Sequence, residues 1–413
     1  MADVLFWPPF PSRETLHDQL FRSIWHFLPY AGRIDRLIFP YAGDDFLLID
    51  ADQLIDMAKV FLGRDYDPAI VGYAAKFRGK IEIVPHSGGV PIDGTSKLHG
   101  LVVWNVSSAP MNGVARQVVE STGCHVAWVD PEHVPQETIE IIRFALGLLG
   151  KDEIDAMLSQ SVYRFSEHYK RWHGRPMSVF GNGPTLQQVV ERTAAGAFDP
   201  GPTLRAVCNS TIGDKKALEA LKPEILFAGD PVQHSGVSTY AGRFRAELAE
   251  ALMADERRVF ITQLGFVPYF QQAIPASAHP RIVGVGNDRR REFNIDLTQA
   301  FFSAATANIF TMLVLPVAFT LSKQVDIYGC DGQAFAQATK PWGHANEGDY
   351  MSKMAVTHRL HPGFWNRNYA EELAAYYGDM DEIIAAAEQK GIRVRNLTPS
   401  YVPALAKRFS PNV

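Results

Sequence analysis

The side chains with most to offer chemically stand just after short apolar runs. Gly181-Asn182-Gly183-Pro184 follows the strand-like Pro176 to Phe180 and precedes a helical pattern. Two glycines able to take positive φ, a proline suited to the first helical position and the unpaired N–H groups of a helix start together make a phosphate cradle. Asn182 adds an amide that both donates and accepts. Asn209-Ser210-Thr211, Asp230-Pro231 and Gly329-Cys330-Asp331-Gly332 end later apolar runs in the same way. Each could serve as an ordinary Asx turn, N-cap or turn starter. Independent turns, however, would not all have to present small polar groups, and open α/β sheets bind ligands beyond the carboxyl ends of their strands.

A general base that works near neutral pH is most simply an imidazole. His344, in Pro341-Trp342-Gly343-His344-Ala345-Asn346, and His361, in His358-Arg359-Leu360-His361-Pro362-Gly363-Phe364-Trp365, lie on loops that could overhang a cleft. His234 is a third candidate, on the side of the glycine turn. As plain structure, His361 would cap a helix and the neighbouring aromatics would be packing residues. Arg175, Lys340 and Arg367 are available to a phosphate or carboxylate, or are solvated surface charges. No metal site is expected, since no HxxxH helix or cysteine pair accompanies the histidines. Asp379-Met380-Asp381 has the DxD form of some metal-binding transferases, but it reads as a helix start, where acids favour the dipole. Asp44-Asp45 reads as a turn. Leu186 stands where a dinucleotide fingerprint would carry its third glycine, so the turn fits an NAD site poorly.

Something must hold these residues at one edge. Strand-length apolar runs at Arg36 to Pro40, Phe46 to Ile49, Lys80 to Val84, Leu98 to Val106 and His125 to Val129 recur around an amphipathic helix at Gly113 to Ser121. Helical patterns at Gln136 to Leu149 and Lys151 to Trp172 read as a bridge. Strands are then expected near Met177 to Phe180, Arg205 to Cys208, Glu224 to Ala228, Arg258 to Thr262, Arg281 to Val285, Gln324 to Tyr328 and Ile392 to Arg395. This alternation predicts an α/β protein of two Rossmann-like domains facing a cleft, 1–172 and 173–413, with the break near Gly174-Arg175-Pro176. Ala304 to Ser322 is nearly long enough to span a bilayer, but Thr306, Asn308, Thr311, Pro316 and Thr320 interrupt it, which predicts a helix buried inside a domain.

Composition narrows the function. The 413 residues are 46% hydrophobic, ample for buried cores, and the formal charge of −5 is spread among interspersed acids and bases. That excludes nucleic-acid binding as the main activity, which needs a concentrated basic face. Three widely spaced cysteines, Cys124, Cys208 and Cys330, suit free thiols in a reducing compartment. Met1-Ala2-Asp3-Val4 lacks the basic region of a secretory signal, so a cytoplasmic protein is expected, with peripheral association at the inner membrane face left open.

Four segments in order, "FGNGPTL", "VCNSTI", "NIFTMLVLPVAFTLS" feeding "VDIYGCDG", and "GIRVRNLTPSYVPAL", resemble the bacterial sialyltransferase and CMP-sugar transferase superfamily. Related polysaccharide-biosynthesis proteins and hydroxymethylpterin pyrophosphokinase-like domains share the pattern. The likeness covers residues 175 to 408 and does not extend to 1–172. It implies a GT-B-like arrangement, with Asn182 and Asn209 contacting a cytidine nucleotide among Gly181, Gly183, Pro184, Ser210 and Gly332. Asn308 and Thr311 would read ribose or base, although the family's Ser-Gly pair is absent. Asp331 matches an acidic residue of the family, while Gly332 and Gln333 replace the tyrosine that assists phosphate departure. The family's catalytic histidine falls in the interval that holds both His344 and His361.

The expected activity is therefore transfer of an acidic sugar, sialic acid- or Kdo-like, from a CMP-activated donor to a glycan or glycolipid acceptor. A histidine base would act without a metal or other cofactor. A pyrophosphokinase-like enzyme using ATP and Mg, or a non-catalytic nucleotide- or carbohydrate-binding module, are the alternatives.

Overall fold

The computed structural model describes residues 2–45, 50–86, 98–105, 109–132, 137–288, 292–337, 343, 345 and 347–411. The chain forms α/β layers around two all-parallel sheets, one of five strands and one of eight. Two compact units divide it. The first comprises Met1–Ile154, Pro231–Arg243 and Met354–Arg367, and the second Asp155–Asp230, Phe244–Lys353 and Asn368–Val413. The chain thus returns twice to the first unit, where the sequence suggests a single break near Gly174.

In the first unit β1 (Ala2–Trp7), β2 (Ile34–Tyr41), β3 (Ile81–Pro85), β4 (Leu98–Val103) and β5 (His125–Trp128) lie in the order β3-β2-β1-β4-β5. The central strand, β1, is absent from the sequence expectations because Asp3 and the Pro8-Pro9 pair hide its short apolar run. Val4, Leu5 and Phe6 are nonetheless at most 1% exposed, since a parallel strand is covered on both faces. The expected strand Phe46 to Ile49 lies outside the described residues.

The helix Arg13–Phe27 also escaped expectation. Its Ser12 cap accepts the Thr15 N–H at 3.3 Å, and it buries Leu16, Leu20, Ile24 and Phe27. Both returning segments are bonded into this unit. Trp25 Nε1 donates to Ser235 O at 2.8 Å, the Ser238 and Thr357 hydroxyls meet at 3.0 Å, and Arg359 grips Asp65 through Nε and one terminal nitrogen, each at 2.7 Å.

The second unit carries β6 (Met177–Phe180), β7 (Leu204–Cys208), β8 (Ile225–Phe227), β9 (Val259–Gln263), β10 (Ile282–Asp288), β11 (Phe302–Ala304), β12 (Gln324–Tyr328) and β13 (Arg393–Asn396). Their order is β11-β10-β9-β8-β7-β6-β12-β13, so the direction of strand addition reverses between β6 and β12. Phe310–Val314 forms a π turn that runs into the helix Leu315–Leu321, and every residue of both is buried, as expected for a core helix. Among the described residues no helix is long and apolar enough to cross a membrane.

The helix Lys151–Trp172 has the expected bounds: its first four residues belong to the first unit and the rest, from Asp155, to the second, with Phe165 and Trp172 in the core of the eight-stranded sheet and Ser161 Oγ accepting the Gly284 N–H at 3.1 Å. The helix expected at Ile383 to Lys390 runs instead over Tyr369–Gln389.

Candidate functional site

The reversal between β6 and β12 is where an open parallel sheet offers a ligand crevice. Here the two loops that leave those strands close on each other. Gly181 N–H donates to Tyr328 O at 2.7 Å and Gly183 N–H to Gly329 O at 2.8 Å. A Cβ on Gly181 would run into Gly329 O and its carbonyl carbon at 2.9 Å, and one on Gly183 would collide with Asp331 Oδ2 and with Gly329 O at 2.8 Å. Neither glycine is among those with positive φ. Their role is close loop approach, which corrects the expectation that they supply left-handed backbone.

The helix start is also occupied. Pro184 is the N-cap of Thr185–Ala194, one residue before the expected position, and offers no capping side chain. The cap comes from across the reversal: Asp331 Oδ1 accepts the Thr185 N–H at 3.1 Å and Oδ2 accepts its hydroxyl at 2.8 Å. The phosphate cradle read from the sequence is filled by the chain's own carboxylate, because a fixed anion satisfies the first-turn N–H and the helix dipole. Burial pushes the Asp331 carboxyl above its ordinary value, and the Thr185 bonds pull it partly back.

Residues around β13 hold this loop. Thr398 Oγ1 accepts the Gly329 N–H at 2.9 Å, Ser400 Oγ donates to Cys330 O at 2.7 Å, and Tyr377 OH donates to Gln333 O at 2.6 Å. Gly332, at φ 62°, would bring a Cβ within 2.7 Å of Tyr377 OH. That glycine is packed against a phenol.

Further along the carboxyl edge lies a row of uncharged amides and hydroxyls. Asn182 Nδ2 donates to Ser210 Oγ at 3.3 Å. Asn209 takes left-handed backbone at φ 50°, and its Oδ1 is buried without a hydrogen-bond partner. Gln263, the last residue of β9, donates from Nε2 to Gly229 O at 3.0 Å and accepts from Asn287 Nδ2 at 3.4 Å. The strand-end rule, applied to β9 and β10 as well, would have found Gln263 and Asn287. Asn308 caps the core helix, its Oδ1 accepting the Phe310 N–H at 2.9 Å and its carbonyl the Thr311 hydroxyl at 3.2 Å. Thr311 is fully buried and bonded to Thr306 at 2.8 Å.

The remaining candidates separate. His344 and Lys340 lie outside the described residues. His361 is a residue of the first unit, 1% exposed and edge-on to Phe364 at 6.5 Å; His234 belongs to that unit too, not to the side of the glycine turn. Arg175 forms a two-pronged pair with Glu224 at 2.9 and 3.0 Å, and both precede strands, so it serves the amino edge of the sheet. Arg367 lies over the Phe364 ring at 5.2 Å. Asp379 and Asp381 sit inside the Tyr369–Gln389 helix, two residues apart, where side chains do not face each other. Asp45 accepts the Tyr41 hydroxyl at 2.6 Å and pairs with Arg13, a turn carboxylate tied into structure. Among the described residues no group of three potential metal ligands occurs. No protein-family model matches this chain, and no curated protein matches it in sequence.

Proposed function

We propose that the chain is a glycosyltransferase whose second unit binds a CMP-activated acidic sugar along the carboxyl edge of the eight-stranded sheet, for transfer to a surface glycan or glycolipid. The observation that carries this reading is Asn209: a left-handed residue at a strand end whose amide oxygen is buried and accepts nothing. A nucleoside offers the matching amino or hydroxyl donor. The Asn182–Ser210 pair supplies further uncharged contacts, and the motif resemblance assigns the same two asparagines to cytidine.

The donor arrives already activated at its anomeric carbon. The acceptor hydroxyl forms the new C–O bond as the anomeric bond to phosphate breaks and CMP leaves with that electron pair, while a histidine base, of which His344 is the candidate from the second unit, removes the hydroxyl proton. Fixed hydrogen-bond donors stabilise the departing phosphate. Two parallel sheets support a GT-B-like arrangement as the finer fold reading, and three unbridged cysteines support a cytoplasmic site of action.

Calorimetry with CMP tests the proposal. Wild type should bind CMP, and Asn182→Ala and Asn209→Gly should each weaken it by roughly tenfold, as loss of about 1.4 kcal/mol of hydrogen bonding would. Tight binding of ATP with Mg and none of CMP would move the chain to the pyrophosphokinase reading.

A further inference from the structure

We propose that His99 and His125 form a two-imidazole site for a divalent transition-metal ion of the copper, nickel and zinc group. The site concerns the first unit alone and stands without the nucleotide reading. His99 is the second residue of β4 and His125 the first of β5, so both stand at the amino edge of the five-stranded sheet.

A local irregularity brings the two rings together. In regular pairing neighbouring residues of a strand point to opposite faces, and His125 lies level with Gly100, so His99 would face away from it. Between β1 and β4, however, the partners pass from Asp3 with Leu98 to Val4 with Gly100, which leaves His99 as the extra residue of a bulge. A bulge re-aims the side chain it carries. The His99 and His125 rings lie 5.7 Å apart, with planes tilted by 49°. An imidazole nitrogen bound at about 2 Å sets its ring centre about 3 Å from the ion, so two rings sharing one ion stand about 5–6 Å apart. The observed spacing falls in that range.

The state of the rings suits the same chemistry. His99 Nε2 is buried with no hydrogen-bond partner among the described residues. Phe144 meets the His99 ring edge-on at 6.2 Å and fills the space that a Cβ on Gly100 would need, which makes one wall apolar. Burial, and after it the charge of His125, hold the His99 ring below its ordinary pKa, so near neutral pH it keeps the lone pair that a metal requires. His125 is exposed, which leaves the pair open to an ion from solvent. As packing alone, this arrangement leaves a polar nitrogen unmatched and sets two like charges together in acid. A shared ion relieves both. Imidazole suits copper, nickel and zinc, with water in the remaining positions, whereas magnesium and calcium prefer oxygen ligands.

The test is calorimetry of the full chain with CuCl2, NiCl2 and MgCl2 in a buffer that does not bind metals, for wild type, His99→Gln, His125→Gln and the double variant. Wild type should bind copper more tightly than nickel and leave magnesium unbound. Each single variant should weaken copper about tenfold or more, and the double variant little further, because one imidazole alone no longer makes the site. Electron paramagnetic resonance of the copper form should show two coordinated imidazoles in wild type and one in His125→Gln. His125 is exposed, so that variant and its spectrum decide the matter if His99→Gln does not fold. No copper binding to wild type, equal copper affinity in wild type and His125→Gln, or an identical spectrum in the two overturns the assignment.

Discussion

The Asp331 carboxylate caps a helix that begins 146 residues earlier in the chain, accepting both the backbone N–H and the hydroxyl of Thr185. Burial raises its carboxyl above the ordinary value. Between the ordinary and the raised value the folded state holds more protons than the unfolded chain, so the stability this group contributes is present at the acid end and is lost as pH rises through the raised value. Asp331→Asn keeps an acceptor and removes the titration. Its urea stability relative to wild type should therefore improve as pH rises from the ordinary carboxylate value through the raised one, and level off above it. Asp331→Ala removes the cap and should cost about 1–2 kcal/mol at either end.

Asn209 separates folding from binding. Its φ of 50° suits glycine better than any residue with a Cβ. Asn209→Gly should fold with unchanged or slightly raised stability in thermal melts, whereas Asn209→Ala should lose about 1 kcal/mol. Both lack the buried amide oxygen, so equal CMP affinity in Asn209→Gly and wild type would remove the basis of the proposed nucleotide site.

Two glycines should respond in opposite directions. Gly183→Ala drives a methyl group into Asp331 and Gly329 and should destabilise by more than about 2 kcal/mol. Gly378, inside the helix Tyr369–Gln389, has nothing within 4 Å of an added Cβ, so Gly378→Ala should stabilise by about 0.5–1 kcal/mol. Urea denaturation of the two single variants checks both signs.

The thiols should be silent in the folded protein. All three cysteines are free and buried, and burial pushes Cys208 far up and Cys330 up to about 12. Since the thiolate is the reacting form, a thiol-specific colorimetric reagent at mildly alkaline pH should label native protein slowly and release three equivalents once urea unfolds it. Fast labelling of Cys208 or Cys330 in native protein would show that those strand ends open.

The seven strands expected in the second half each begin within one residue of their observed start, because apolar runs bounded by glycine, asparagine and proline mark buried parallel strands plainly. β11 has three residues and no such run. β1 was hidden by its neighbours Pro8 and Pro9, although it is the middle of its sheet. The placement of Asn182, Asn209 and Asp331 just past strand ends was legible from the apolar runs before them. That Asp331 is spent on Thr185 was not, since nothing local in either segment records a contact made across the strand reversal. The placement of His361 and His234 was equally hidden, because it depends on the chain returning to a unit it had left.

Those returns have a consequence for synthesis. A chain made from its amino end presents the Trp25 indole N–H 210 residues before its acceptor, Ser235 O, exists, and the Arg22 guanidinium 338 residues before the Leu360 carbonyl it binds. Contacts of such long range close late. The amino-terminal unit therefore completes these two bonds only after residue 360 has left the ribosome, and the nascent half stays in reach of chaperones until then. A chain cut after residue 172 would lack Ser235 and Leu360, and with them the acceptors of both bonds.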